Sequence, residues 1–175
     1  MGSSPTPGTV ITITVRDARP GDGAALARIH AEMAAYYAAL APEHFHEPAL
    51  DGFAEELDAE LGAADSGVLR LVAEVGGEVA GALAARVLAP ADGAEREISP
   101  DLTHTRVRID YVAVDEAHRR HGVGARLVEA AEAWGRDAGA TVAETWTYHR
   151  SPLSLPFWER GMGYEERSVN LRKVL

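Results

Sequence analysis

The residues best equipped for chemistry lie in the stretch 109–139, IDYVAVDEAHRRHGVGARLVEAAEAWGRDAG. His118, Arg119, Arg120 and His121 form a basic run, followed at once by Gly122 and Gly124. Val123, Leu127, Ala131 and Trp134 then recur at helical spacing, so a helix begins at the glycines. A helix N-terminus exposes unpaired N–H groups and about half a positive charge, and glycine lets an anion approach closely. The pattern therefore suits the binding of phosphate oxygens. Two carboxylates sit in the flanking apolar runs: Asp110 within 109–114 and Glu144 within 141–147. Each is able to accept a proton directly or through water, with Tyr148 and His149 as further candidates.

The bland reading of 118–124 is a basic turn ahead of an ordinary surface helix. A dinucleotide-binding turn is a second reading, because Glu144 follows Gly122-x-Gly124 by about 20 residues, the spacing of a ribose-binding acid. Against it, Leu127 replaces the third glycine, the glycines do not follow the strand directly, and too little chain remains for a doubly wound sheet. His44, His46 and Glu47 in PEHFHEP invite a metal-site reading, but they lack the i, i+4 helical spacing of zinc enzymes, and no metal is expected. The chain has no cysteine, which excludes disulfides and thiolate ligands.

The elements that must position these groups follow from pattern. The 175 residues suit one domain over 10–175, after a Gly/Ser/Pro/Thr-rich lead, 1–9, that reads as disordered. Alternating Val, Thr and Ile predict a strand at 10–15. A helix over 23–40 follows, with Asp22 as its cap and Leu26, Ile29, Met33, Tyr36, Tyr37 and Leu40 on its apolar face. A second helix is expected at 53–61. Strands at 68–75 and 78–87 flank Gly76-Gly77, which suits a tight hairpin turn. Residues 89–103 form a polar loop, and 109–114, 141–147 and 165–175 read as further strands.

The formal net charge of −10 argues against nucleic-acid binding, which depends on Lys and Arg neutralising phosphates. It also favours cationic partners such as protonated amines. No apolar run is long enough to span a bilayer, and no signal-like start is present, so the expectation is a cytoplasmic protein without a membrane partner.

Arg119-x-x-Gly122-x-Gly124, with Val114 five residues earlier, resembles the pyrophosphate-binding motif of the GNAT superfamily of acyl-CoA-dependent N-acyltransferases. A second resemblance lies in SPLSLPFWERGMGY at 151–164. Many members have Asn-x-x-Ala-x-x-Phe-Tyr and then Gly-Phe there, and this chain places Ser151, Ser154, Phe157, Trp158, Gly163 and Tyr164 at those positions. The ordered succession of elements extends the likeness over nearly the whole of 10–175. It implies an α/β (α+β) fold: a GNAT-like mixed sheet of about six strands flanked by about four helices, with a splayed parallel strand pair forming a cofactor cleft.

The resemblance further implies acetyl-CoA as co-substrate, and an acetyl group passing to a primary amine of a small molecule or peptide by direct attack in a ternary complex. Backbone groups of Val112, Ala113 and Val114 would pair with the pantetheine arm. Those of Arg119, Arg120, His121, Gly122, Val123, Gly124 and Ala125 would hold the pyrophosphate, and Ser151, Ser154, Phe157 and Trp158 would complete the cofactor wall. The loop around His44, Phe45 and His46, with the 53–61 helix, would wall the acceptor site. Asp110 and Glu144 are the candidate bases. Members often have tyrosine where Trp158 stands, to protonate the departing thiolate. An indole N–H is no equivalent acid, which leaves that step to water or Tyr148. A non-catalytic acyl-CoA-binding module is the alternative. Members are often dimers, so a homodimer is a candidate assembly.

Overall fold

A computed structural model describes residues 11–63 and 67–173, so the lead 1–9 and Val10 lie outside the described residues. In chain order the elements are β1 (Ile13–Asp17), α1 (Gly23–Leu40), α2 (Phe53–Gly62), β2 (Val68–Val75), β3 (Glu78–Leu88), β4 (Arg106–Val114), α3 (Val123–Asp137), β5 (Val142–Thr145) and α4 (Ser154–Pro156). A π-helical turn, Phe157–Gly161, continues α4. The strands stand side by side in sequence order, antiparallel from β1 to β4, with β5 parallel to β4. Gly76 and Gly77 join β2 to β3 with φ of 62° and 89°, as the expected hairpin requires.

One face of the sheet carries α3. Leu71, Leu83, Val107 and Ile109 pack there against Val123, Leu127, Val128 and Ala131, all buried. Two glycines let the helix sit this close. A Cβ on Gly135 would lie 2.6 Å from the Cβ of Val107, and one on Gly81 would lie 2.9 Å from Val123. Side chains of the opposite strand parity, such as Ala82, Ala84 and Tyr111, meet α1 and α2 on the other face.

Among the described residues five strands form, where about six were expected. Residues 165–173 make no strand and are exposed. Val169 and Leu171 stand in solvent, and Arg167 instead reaches Asp101 and Ser99. The pattern 165–175 has β-branched and apolar residues but no alternation that buries one face, so nothing draws it onto β5. The loop 89–103 is also more ordered than its composition suggests, with 3₁₀ turns at Ala94–Arg96 and Pro100–Thr103.

The expected cap of α1 is corrected too. Asp22 makes no side-chain cap bond. Its carboxylate takes two bonds from the Arg16 guanidinium, at 2.7 and 2.8 Å, and one from the Arg19 N–H at 2.9 Å. A bidentate charged pair is stronger than a neutral cap bond. Asp58 of α2 serves α1 instead, accepting from the N–H groups of Gly21 and Gly23 at 2.8 Å each.

Hydrogen bonding from Arg16 holds the buried Asp22 carboxyl below its usual range. A carboxylate whose folded pKa is lowered adds stability above its unfolded pKa, near 3.9, and loses it as pH falls through the folded value. Asp22→Asn should therefore cost about 1–3 kcal/mol at pH 7. In urea titrations the gap between wild type and variant should close as the pH is taken below about 4. A gap that stays constant down to pH 2 would show that the charge of Asp22 is not what stabilises this corner.

Candidate active site

The site begins at one irregularity of β4. Ala84 pairs with Tyr111 and Ala85 with Ile109, so Asp110 is the extra residue of a bulge. The parallel ladder to β5 starts at Arg106 and Val142 and ends at Ile109 and Thr145, where the bulge begins. A bulge bends its strand and sharpens the twist. Beyond it, β4 and β5 part, and residues 111–114, still paired with β3, have no strand on their β5 side among the described residues. The expected splayed pair is present, although β5 is shorter than the predicted 141–147 because its partner edge turns away.

Which backbone groups face the gap follows from alternation. The Asp115 N–H donates to Ala80 O on the β3 side at 2.9 Å, so two residues back the Ala113 N–H points that way as well. The N–H groups of Val112 and Val114 then face the gap, and the Val114 carbonyl accepts from Arg119 Nε at 3.1 Å.

The turn into α3 supplies the rest of the cleft floor. Asp115 accepts from the His118 N–H at 3.0 Å and lies 2.6 Å from its Nδ1, which fixes the 3₁₀ turn Glu116–His118. Arg120 then takes φ 65° and Gly122 φ 86°. A non-glycine residue held in the left-handed region costs on the order of 1–3 kcal/mol and is a mark of functional sites. Gly122 caps α3 without a side chain, and the first helical bond runs from Arg126 N–H to Gly122 O. The N–H groups of Val123, Gly124 and Ala125 precede that bond, so they form an anion-binding helix end. His121 and Arg120 are exposed beside them.

The α4 segment closes the cleft by tying itself to α1. The buried Ser151 hydroxyl lies 3.1 Å from Tyr36 Oη and accepts from the Ser154 N–H at 3.1 Å. The Ser154 hydroxyl lies 3.0 Å from Tyr37 Oη and accepts from Thr147 at 2.8 Å. Both serines therefore already have protein partners. Phe157 packs over Gly124, whose Cβ would sit 3.4 Å from its ring. Trp158 is buried in the core against Phe157 and Tyr164, with centroids 5.1 and 4.9 Å away.

Asp110 and Glu144 both border the cleft, and both are ion-paired. Arg86 Nε donates to Asp110 at 2.6 Å; Arg108 holds Glu144 at 2.8 Å, with Arg106 at 3.5 Å. Tyr148 stands in an aromatic group with Phe45, His44 and His149, at centroid distances of 5.2, 6.0 and 5.2 Å. Among the described residues, His44 and His46 belong to no group of three or more histidines or acids that could hold a metal ion.

Sequence reasoning missed several residues that the fold brings here. Tyr36 and Tyr37 read as apolar core residues of α1, yet they line the cleft and bridge to α4. Two phenols on an Ala-rich face needed hydroxyl partners, which was the available signal. Arg119 lies over the Tyr36 ring at 5.9 Å. Tyr111 lies next to the bulge, and burial pushes its phenol pKa up. Asp115 gave an Asp-x-x-His cap pattern.

The comparisons agree with the fold. The family model for the acetyltransferase (GNAT) family matches residues 29–164. The chain belongs to that family. A comparison with curated protein sequences finds no match. Among solved structures, a protein from Bacillus halodurans C-125 described as a transcriptional regulator superposes with TM-score 0.69 at 20% identity, covering 94% of this chain and 100% of that one. An aminoglycoside acetyltransferase from an uncultured soil metagenomic sample, solved with sisomicin, gives TM-score 0.62 at 19% identity, covering 93% and 96%. A Trypanosoma brucei acetyltransferase gives 0.62 at 17%, covering 94% and 100%. At these identities the likeness concerns the fold. GNAT members are acyltransferases that generally use acetyl-CoA.

The open edge at Val112 and Val114, and the uncapped α3 amides beside it, fit a pantetheine arm and a pyrophosphate. Gly124→Val would place branched carbon between these amides and Phe157. The expected result in isothermal titration is a Kd for CoA at least tenfold weaker, about 1.4 kcal/mol, in protein whose melting curve remains cooperative. An unchanged Kd would place the pyrophosphate elsewhere.

Proposed function

We propose that this protein is an N-acetyltransferase that moves the acetyl group of acetyl-CoA to a primary amine of a small molecule or peptide, by direct attack within a ternary complex. The observation that carries the reading is the end of the β4–β5 ladder at Ile109 and Thr145, directly ahead of an uncapped, basic helix start. Bound there, acetyl-CoA would supply an activated acyl thioester. Val112 and Val114 offer strand-like backbone groups to its arm, and a backbone N–H near Val114 stabilises the carbonyl oxygen as negative charge develops.

Deprotonating a lysine-like ammonium with pKa about 10.4 at pH 7 costs roughly 4–5 kcal/mol, so a base must take that proton. Asp110 and Glu144 are the groups we assign to this task. Their arginine partners fix their positions, and each has further oxygen lone pairs for the ammonium or a bridging water. The amine nitrogen then forms the new C–N bond, the C–S bond breaks, and the amine sheds its second proton. That proton, relayed through water or Tyr148, returns to the thiolate. A thiolate with pKa near 8.5 leaves readily, so burial of Trp158 in the core does not block the step.

A non-catalytic acyl-CoA-binding role is the second reading. It is favoured by Trp158 in the core and by the ion pairs already on both carboxylates. In either case CoA and acetyl-CoA, but not NAD, should raise the melting temperature by roughly 5–10 °C at about 100 times Kd. Failure of both to do so removes the cofactor assignment. Steady-state assays of thiol release with an amine should separate the two readings. Asp110→Asn and Glu144→Gln are each expected to lower kcat at pH 7 by about 10²–10⁴ if that residue is the base. Two variants with full kcat would mean that neither is the base, and no thiol release from any amine would favour the binding role.

A further inference from the structure

Behind the cleft lies a second hollow that the acyl-carrier site does not use. Leu26, Phe53, Leu57, Leu61, Ala82 and Ala84 line a cavity of about 270 Å³ between α1, α2 and the sheet. Its walls are mainly apolar. Helix α2 presents Phe53, Leu57 and Leu61 at i, i+4 and i+8, the spacing of a face made for burial. None of its residues is buried, and among the described residues nothing fills the space that this stripe faces. For scale, an apolar cavity of about 150 Å³ stays dry and takes up benzene.

The hollow adjoins the cleft. His30, Asp110 and Tyr111 line both. The three rings Phe53, His30 and Tyr111 form a row from the cavity to the bulge, with His30 5.1 Å from Phe53 and 6.2 Å from Tyr111. At the mouth, the Asp110 carboxylate offers negative charge to a cation, while Arg86, paired to it at 2.6 Å, fixes its position. A ligand that places an ammonium near Asp110 and an apolar group behind Tyr111 satisfies both regions at once.

We infer that the cavity under α2 is the side-group pocket of the acceptor, which is a primary amine carrying an apolar group the size of a substituted ring. The inference rests on the proposed amine-acetyltransferase reading and narrows its substrate class. Ring-bearing amines bury their apolar part between Leu57, Phe53 and the sheet, whereas short alkylamines leave that space empty.

The test measures binding and turnover separately. Isothermal titration of the full chain with saturating CoA should give 2-phenylethylamine a Kd at least tenfold lower than that of propylamine. Leu57→Trp, which fills the pocket from α2, should reduce that ratio to less than threefold, while its Kd for CoA and its melting curve report that the fold is intact. Should Leu57→Trp not fold, Ala84→Leu fills the same space from β3. Equal affinity for the two amines in the wild type, or a ratio that survives a folded pocket-filling variant, overturns the inference. Thiol release from acetyl-CoA with 2-phenylethylamine bears on the other question. If the amine binds with the stated preference and no thiol appears, the pocket stands as a binding site and the transfer reading fails. If thiol appears with both amines at equal kcat/KM and binding shows no preference, transfer stands and the pocket assignment fails.

Discussion

The structure depends on one extra residue in β4. A sheet of parallel neighbours normally satisfies its backbone groups along their full length, and β4 and β5 do so only from Arg106 to Ile109. At Asp110 the register against β3 slips by one. The strand bends, and two N–H groups at Val112 and Val114 are left facing a gap. Unpaired backbone groups are costly when buried, so a site like this persists where water or a ligand satisfies them. The same bulge sets the ends of the cleft: it stops β5 at Thr145 and brings Asp110 beside Tyr111.

Around that opening the remaining parts are held rigidly. Gly135 and Gly81 let α3 lie against β4 and β3, which fixes where its N-terminus points. Asp115 and the left-handed Arg120 shape the turn ahead of it. On the other side, Tyr36 and Tyr37 reach from α1 to Ser151 and Ser154, so the α4 segment and α1 close over the cleft as a unit. Asp22 and Asp58 join β1, α1 and α2 through Arg16 and the Gly21 and Gly23 amides. What this opening offers a ligand is mostly backbone, and the side chains around it act chiefly to hold that backbone in place.

The arginines on β3 and β4 give the site its charge balance. Arg86, Arg106 and Arg108 face Asp110 and Glu144, and the Nε of the buried Arg106 has no hydrogen-bond partner. In a strongly acidic chain these cations pair with both carboxylates and fix where they stand. Each remains able to accept a proton while its position is set by a charged hydrogen bond.

Local pattern in the sequence determined the helices α1, α2 and α3, the Gly76–Gly77 hairpin, and the helix start at Gly122. Helical periodicity, a turn that needs positive φ, and glycine beside basic residues are all properties of neighbouring residues. The motif residues 119–125 were legible for the same reason. Tertiary structure alone decided that 165–173 stays off the sheet, because it has strand-like residues but no face that the sheet could bury. It decided that the Asp58 side chain rather than that of Asp22 serves the start of α1, since Arg16 of β1 takes the Asp22 carboxylate. It also turned Ser151, Ser154 and Trp158 toward protein partners, brought Tyr36 and Tyr37 out of the expected core, and opened the hollow under α2. Each of these depends on which distant group arrives first at a hydrogen-bond donor or an apolar surface, and the spacing of residues along the chain does not encode that competition.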